Sequence, residues 1–316
     1  MNELTYWMAL AHIETMFTRR KNEILVKLYQ FNEGQTPNLE TFFHDGEALW
    51  RNCYSLNDDE VAILSRAKET LPNHAFTLER LQEQGFQLTT IFDIHYPETL
   101  KKNLKYNSPI LLYTKGNTEL LKQEMVAIVG SRAASPQALM FTDSVAKMVT
   151  QQGKVVVSGY AKGVDRQALD SAVEANGTSI VVLPQGITTF GSGFNALHRW
   201  IVQGKVLVMS YFAPMAPWTT AFAMARNQVV YGLANSIYVA ESSNKGGTFA
   251  GVTDGLRKGR EIFVRQPEDG ENNANLQIIR MGAIPVDNQG NVLGVPKVQA
   301  NEYPALDFET SIASEN

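Results

Sequence analysis

From residue 125 to 264 the chain alternates short apolar runs with amphipathic stretches. Met125–Val129 is apolar, with β-branched members, and stops at Gly130-Ser131-Arg132. A run of this kind closed by a glycine turn predicts a strand buried on both faces. Pro136 suits the first turn of the next helix, with Ser135 as its N-cap and Gly153 as its stop. Lys154–Ser158 repeats the strand pattern and ends in Gly159, and Gly163 opens another helix. The rhythm predicts strands over 125–129, 154–158, 179–183, 205–209, 236–240 and 261–264. Helices fit over 136–152, 163–176, 194–203, 219–233 and 247–258. Alternation of this kind predicts an α/β fold, a Rossmann-like, mostly parallel sheet with helices on both faces. The loops 130–135, 159–163, 184–193 and 241–248 should then share one edge, at the carboxyl ends of the strands.

The first 76 residues have a different period. Leu4, Trp7, Met8, Leu10 and Ala11 recur at helical spacing, as do Ile24, Leu25, Leu28 and Tyr29. Further helices are predicted over 39–53 and, capped by Asp58, over 59–70. This reads as a small helical domain, 1–76, joined through polar Pro72, Asn73 and His74 to an α/β domain, 77–286. The second domain should stay folded when the first is removed. At the start of the second domain, Thr77–Gly85 reads as a helix, Gln87–Phe92 as a short strand, and Ile110–Tyr113 as a strand at the sheet edge. From 287 to 316 the chain is a polar tail.

Composition narrows the function classes. Hydrophobic residues make up 44% and charged residues 19%, the balance of a globular chain with a sizeable core. No apolar stretch is long enough to span a bilayer, so no membrane partner is expected. The N-terminus lacks a signal-peptide pattern, which implies a cytoplasmic location. One cysteine, Cys53, supplies neither a disulfide framework nor a metal cluster. The net charge of −4 gives no global attraction to polyanions. Binding to nucleic acid would need a local basic surface. The run Arg19-Arg20-Lys21 is one candidate, and a solvated helix face is the other reading of it.

The strand-end loops carry the candidate chemistry. Gly130, Ser131 and Arg132 follow the first strand. Ser158, Gly159, Lys162 and Gly163 follow the second. Arg226 and Asn227 lie near the start of a later helix, and Lys245, Gly247 and Thr248 lead into another. Glycines admit an anion to the backbone, helix N-termini point N–H groups at it, and the cations neutralise it. Arg226 has apolar neighbours and needs an anionic partner or ligand; Glu241 is the partner its position suggests. Gly191-Ser192-Gly193 is either a flexible lip on this pocket or a plain turn. There is no P-loop, no Gly-x-Gly-x-x-Gly, no metal-ligand cluster and no base placed beside Ser131, Ser158 or Thr248. The chain therefore reads as a binding protein without cofactor or metal, not an enzyme.

At these residues the sequence resembles the DNA-processing protein A (DprA/Smf) family. Val126–Ser135 (VAIVGSRAAS) and Val155–Leu169 (VVVSGYAKGVDRQAL) carry the likeness. Tyr96-Pro97, Pro109, Lys115-Gly116-Asn117, Arg226-Asn227 and Gly247-Thr248 extend it over roughly 90–285. The chain departs from the family pattern at Leu169, where a histidine is usual, and at Gln228, where a second arginine is usual. Phe190-Gly191 stands where the family has Tyr-Pro. Many members also carry a C-terminal winged helix, for which the residues after 287 leave no room. The resemblance implies single-stranded DNA as ligand, held by phosphate contacts, with Tyr160 and Phe190 available for base stacking. It also implies a RecA-type recombinase as partner, and a homodimer. Two other readings stand beside it. One is a nucleotide-binding sensor or nucleotide-processing enzyme using the same pocket. The other is a protein-interaction scaffold that has lost its ligand.

Overall fold

A computed structural model describes residues 1–294. Six helices come first: α1 (Glu3–Ala11), α2 (Thr18–Phe31), α3 (Leu39–His44), α4 (Glu47–Asn52), α5 (Asp58–Glu69) and α6 (Leu71–Glu83). The helix expected over 39–53 is two, because Asp45 is extended and Gly46 caps a new start. The cap of α5 is Asn57, not Asp58: its side chain accepts from Glu60 N while the Glu60 carboxylate accepts from Asn57 N, a reciprocal box that satisfies two orphan donors.

After β1 (Gln87–Thr90), α7 (Glu98–Leu104) and β2 (Leu111–Gly116), the βα rhythm runs as predicted. It comprises β3 (Met125–Val129), α8 (Pro136–Gln151), β4 (Val155–Ser158), α9 (Val164–Glu174), β5 (Ser179–Val182), α10 (Ser192–Val202), β6 (Val206–Ser210), α11 (Thr220–Leu233), β7 (Ser236–Val239), α12 (Gly247–Arg257) and β8 (Ile262–Arg265). The chain adds α13 (Asn275–Arg280) and β9 (Ile284–Val286), which the sequence did not announce; both are short and their signal is weak. Of the expected polar tail, 287–294 turns back so that Val292 bridges Val286. The rest of that tail lies outside the described residues.

The nine strands form one sheet in the order β1-β2-β6-β5-β4-β3-β7-β8-β9. All neighbours from β6 to β9 are parallel; β2 pairs antiparallel with β6 and β1 antiparallel with β2. Thus 111–116 is not an edge strand: the short β1 covers it. Successive side chains of β3 go to opposite faces, as pleating requires. Met125, Ala127 and Val129 join the cluster under α7, α11, α12 and α13, whereas Val126 and Ile128 join α8 and α9. The second face continues past α9 into a third cluster, where Val181, Leu183, Val206 and Val208 meet α10 and the N-terminal helices.

That cluster bears on the chain's organisation. Trp7, Leu10, Leu25, Phe42 and Trp50 belong to the same apolar continuum as Tyr113, Leu169 and Leu197. Buried polar bonds follow the same route. A His12 ring nitrogen lies 2.7 Å from the Tyr113 hydroxyl, and the Asn22 amide donates to Tyr106 and Ser108 carbonyls at 2.9 Å. The break expected at 76/77 falls inside α6, whose Pro72 sits in the first turn, where a missing N–H costs nothing. Among the described residues no helix is long and apolar enough to cross a membrane.

Candidate nucleic-acid interface

From β3 the chain steps outward through β4, β5 and β6, then returns across the sheet to β7 on the other side of β3. The loops after β3 and β7 therefore diverge, and this switch point is where open α/β sheets leave a crevice. A cavity of about 370 Å³ opens there, lined by Gly130–Arg132, Asp165, Arg226, Asn227 and Lys245–Thr248. A second, of about 280 Å³, lies beside it over β4 and β5, lined by Gly159–Lys162, Gln185, Phe190 and Trp218. Arg132 and Arg226 line both chambers.

Hydrogen bonds to backbone carbonyls weld the loops together. Ser131 N donates to Glu241 O at 2.9 Å, Thr248 Oγ1 to Gly130 O at 3.2 Å, and Val164 N to Ser131 O at 3.2 Å. Gly163 has φ +86 and ψ −129, a region open essentially to glycine alone. A Cβ there would also strike the Ser131 and Arg132 carbonyls. Gly159 is needed for space: a Cβ would occupy the position of the Arg226 guanidinium.

Arg226 forms the floor. It is 3% exposed; Nη1 donates to Val182 O at 3.3 Å and stands 3.7 Å from Asp165 Oδ2. Its Nε has no protein partner among the described residues. Asp165 Oδ2 also accepts from Gly159 N at 3.1 Å. Burial pushes the Asp165 carboxyl up, and Arg226 pulls it back; burial lowers the Arg226 guanidinium, and Asp165 opposes that. The partner of Arg226 is therefore Asp165, correcting the expectation of Glu241. Glu241 instead accepts from Ser135 N at 3.3 Å and holds the start of α8.

Arg132, Lys162 and Lys245 are exposed and have no ion pair among the described residues, so their charge is available to a ligand. Ser158 does not belong with them: it is fully buried and its hydroxyl donates to Asp165 O at 3.1 Å. Gly163 lines neither chamber and acts by shaping the β3 loop. Gly191 starts α10 rather than a lip of the cleft. Tyr160, itself at φ +59, meets Phe190 edge to face at 5.2 Å, and Trp218 stands half exposed across the smaller chamber. Sequence reasoning missed Asp165 and Trp218. The first lies in the quoted Gly-Val-Asp-Arg stretch, in the first turn of a helix. The second sits on an aperiodic loop that gives no signal. Of the departures, Leu169 is fully buried in the apolar cluster, and exposed Gln228 faces away from both chambers, into a groove described below.

The sequence profile of the family described as DNA recombination-mediator protein A matches residues 87–295. The chain belongs to this family. The DNA processing protein DprA of Streptococcus pneumoniae is 32% identical over 212 residues, 66% of this chain and 74% of the relative. That of Bacillus subtilis is 27% identical over 205 residues, 64% of this chain and 68% of the relative. The crystal structure of S. pneumoniae DprA superposes with a TM-score of 0.73 at 25% identity, covering 92% of this chain and 97% of that one. The DprA of Helicobacter pylori, in a structure concerned with its single-stranded DNA binding mode, gives 0.55 at 25% identity over 63% and 91%. The S. pneumoniae superposition spans the N-terminal helices as well as the sheet, so the DprA architecture extends beyond the residues that the profile matches.

Proposed function

We propose that this member of the DprA family binds single-stranded DNA in the paired strand-end chambers and acts as a recombination mediator. The observation that carries the reading is the sharing of Arg132 and Arg226 by two adjoining chambers, one lined by the glycine turn after β3 and the N-terminus of α12, the other by aromatic rings. Phosphates suit the first chamber, and the second suits a stacked base on its rings with a phosphate on Lys162. The proposed contacts are to phosphates and to ring faces, so binding should be indifferent to sequence. Family membership supports the same ligand, and supports a homodimer and a RecA-type recombinase as partners. Among the described residues the chamber set contains Asp165 as its one carboxylate, and that group is tied to Gly159 N and Arg226; this favours binding over catalysis.

The test uses Arg132→Ala, Lys162→Ala and the double variant. Each single change should weaken binding of a single-stranded oligonucleotide alike for all base sequences. Each should reduce the magnitude of the log K against log salt slope by about 0.7. Melting temperatures should hold, since both side chains are exposed and surface substitutions stay within about 0.5 kcal/mol. An unchanged affinity in the double variant removes the phosphate pocket. Salt-insensitive binding of a mononucleotide, in preference to the strand, would favour the small-nucleotide reading instead.

A further inference from the structure

A larger basin, about 1050 Å³, lies at the other end of α11, at the opposite edge of the sheet. Its walls are α7 with the turn after it, the C-terminus of α11 and the turn between α12 and β8. Lys102 and Lys105 are exposed there and have no ion pair among the described residues. Arg260 is half-buried and also has no carboxylate partner; its guanidinium donates to the Tyr231 and Ala234 carbonyls at 2.8 and 2.5 Å. Arg19 and Lys258 complete the rim, held by Glu23 and Asp254. Against these cations stand Glu98, which bonds Lys101, and exposed Glu261. The run Arg19-Arg20-Lys21 thus divides by role: Arg19 reaches the basin, Arg20 pairs with Glu60, and Lys21 is buried with its ammonium on Ala11 O.

A narrow groove of about 220 Å³ joins the two ends. It shares Met224, Asn227, Tyr231 and Gly247 with the switch-point chamber, and Leu104, Gln228, Lys258 and Arg260 with the basin. Met224, Asn227, Gln228 and Tyr231 fall on one face of α11, at helical i, i+3, i+4 and i+7 spacing. Across from them, α12 presents Gly251, where a Cβ would come within 2.8 Å of the Tyr231 ring. The 14 residues of α11 span about 21 Å, so the cationic ends are separated by more than one phosphate spacing of a nucleic-acid strand.

We infer that a single strand seated in the strand-end chambers continues along the α11–α12 groove and sets its downstream phosphates among Lys102, Lys105 and Arg260. The inference rests on the proposed strand-end function. The groove's walls mix apolar Leu104, Met224 and Ala250 with Asn227 and Gln228, which suits sugar and base; Asp254 on its wall is paired with Arg257 and Lys258, and cations stand where the groove opens at each end. Shared walls argue for one continuous occupant: a separate acidic protein on the basin would need no passage to the switch-point chamber.

The test compares oligothymidylates of about 5 and about 16 nucleotides, within the range of single-strand site sizes, on the full chain and on Lys102→Glu/Lys105→Glu. The variant should bind the long strand at least tenfold more weakly, with a salt slope reduced in magnitude by about 1.4 for two lost contacts. The short strand should bind as before, and the melting temperature should not move. Gln228→Arg, which adds a cation midway, should tighten the long strand several-fold and leave the short one unchanged. Equal losses for both lengths, or no loss for either, would overturn the inference. So would loss of poly-glutamate binding in the charge-reversal variant with full retention of the long strand, which would assign the basin to an acidic protein. Failure of the strand-end reading is visible separately, as an Arg132→Ala/Lys162→Ala double variant that binds the short strand normally.

Discussion

A fragment beginning at residue 81 is expected to lose cooperative unfolding and to precipitate or bind a hydrophobic dye. Removing α1–α5 and most of α6 takes away most of the buried side chains of the cluster that holds Tyr113, Val181, Leu183, Leu197, Val206 and Val208. Exposing about six such side chains at about 1.5 kcal/mol each removes roughly 9 kcal/mol. A domain's whole margin is only about 5–15 kcal/mol. The cut also breaks the His12–Tyr113 contact inside the protein, where burial pushes the His12 imidazole down to about 3 and keeps it neutral. Thermal melts and tryptophan fluorescence of the fragment against the full chain decide the matter. A soluble fragment with one sharp transition would restore an independent helical domain ending at 76.

The second large effect is expected at the cleft floor. Arg226→Met leaves Asp165 buried without its counter-charge, a change that typically costs about 3–5 kcal/mol, and should also abolish strand binding. The pH dependence follows from Asp165. Burial raises its folded pKa above the unfolded value, so the folded state holds the proton more tightly. The carboxyl's cost to stability is therefore absent below the unfolded pKa and grows as pH rises through the folded one. Loss of Arg226 raises that folded pKa further. The deficit of Arg226→Met against the parent should thus be greatest near neutral pH and shrink on acidification toward roughly pH 4. Urea titrations at several pH values read this directly. Arg226→Met/Asp165→Leu should regain most of the stability, since the buried charge is gone, while strand binding stays lost. A double variant as unstable as the single one would refute the pairing.

The parallel part of the sheet was legible because its signal is local. Met125–Val129 and Lys154–Ser158 are short β-branched runs stopped by Gly130 and Gly159, and that length, branching and stop favour a buried strand over a helix. The loops on one edge followed from alternation alone, as did the grouping of Gly130–Arg132 with Gly247 and Thr248. What was not legible depended on partners distant in sequence. Arg226 plainly needed an anion, but both Glu241 and Asp165 end up near the cleft. Only the folded loops show that Glu241 is already engaged by Ser135 N. Ser158 looked like a ligand residue by position, but its hydroxyl is turned to the Asp165 carbonyl. Helix ends misled where two cap formers are adjacent, as at Asn57 and Asp58, and where Pro72 starts a helix instead of marking a link.

If the chambers hold phosphates as proposed, their sharing of Arg132 and Arg226 makes the cleft a discriminator of connectivity. Two free phosphates, one in each chamber, draw on the same pair of positive charges and repel each other across a short gap, so the second arrives at a disadvantage. Two phosphates joined by a sugar lose their independent freedom only once. The second then sees the first as an effective concentration of the order of millimolar. A chain of phosphates is thereby favoured over the same number of loose ones. Mononucleotides well below millimolar levels would be poor competitors for a strand already in place.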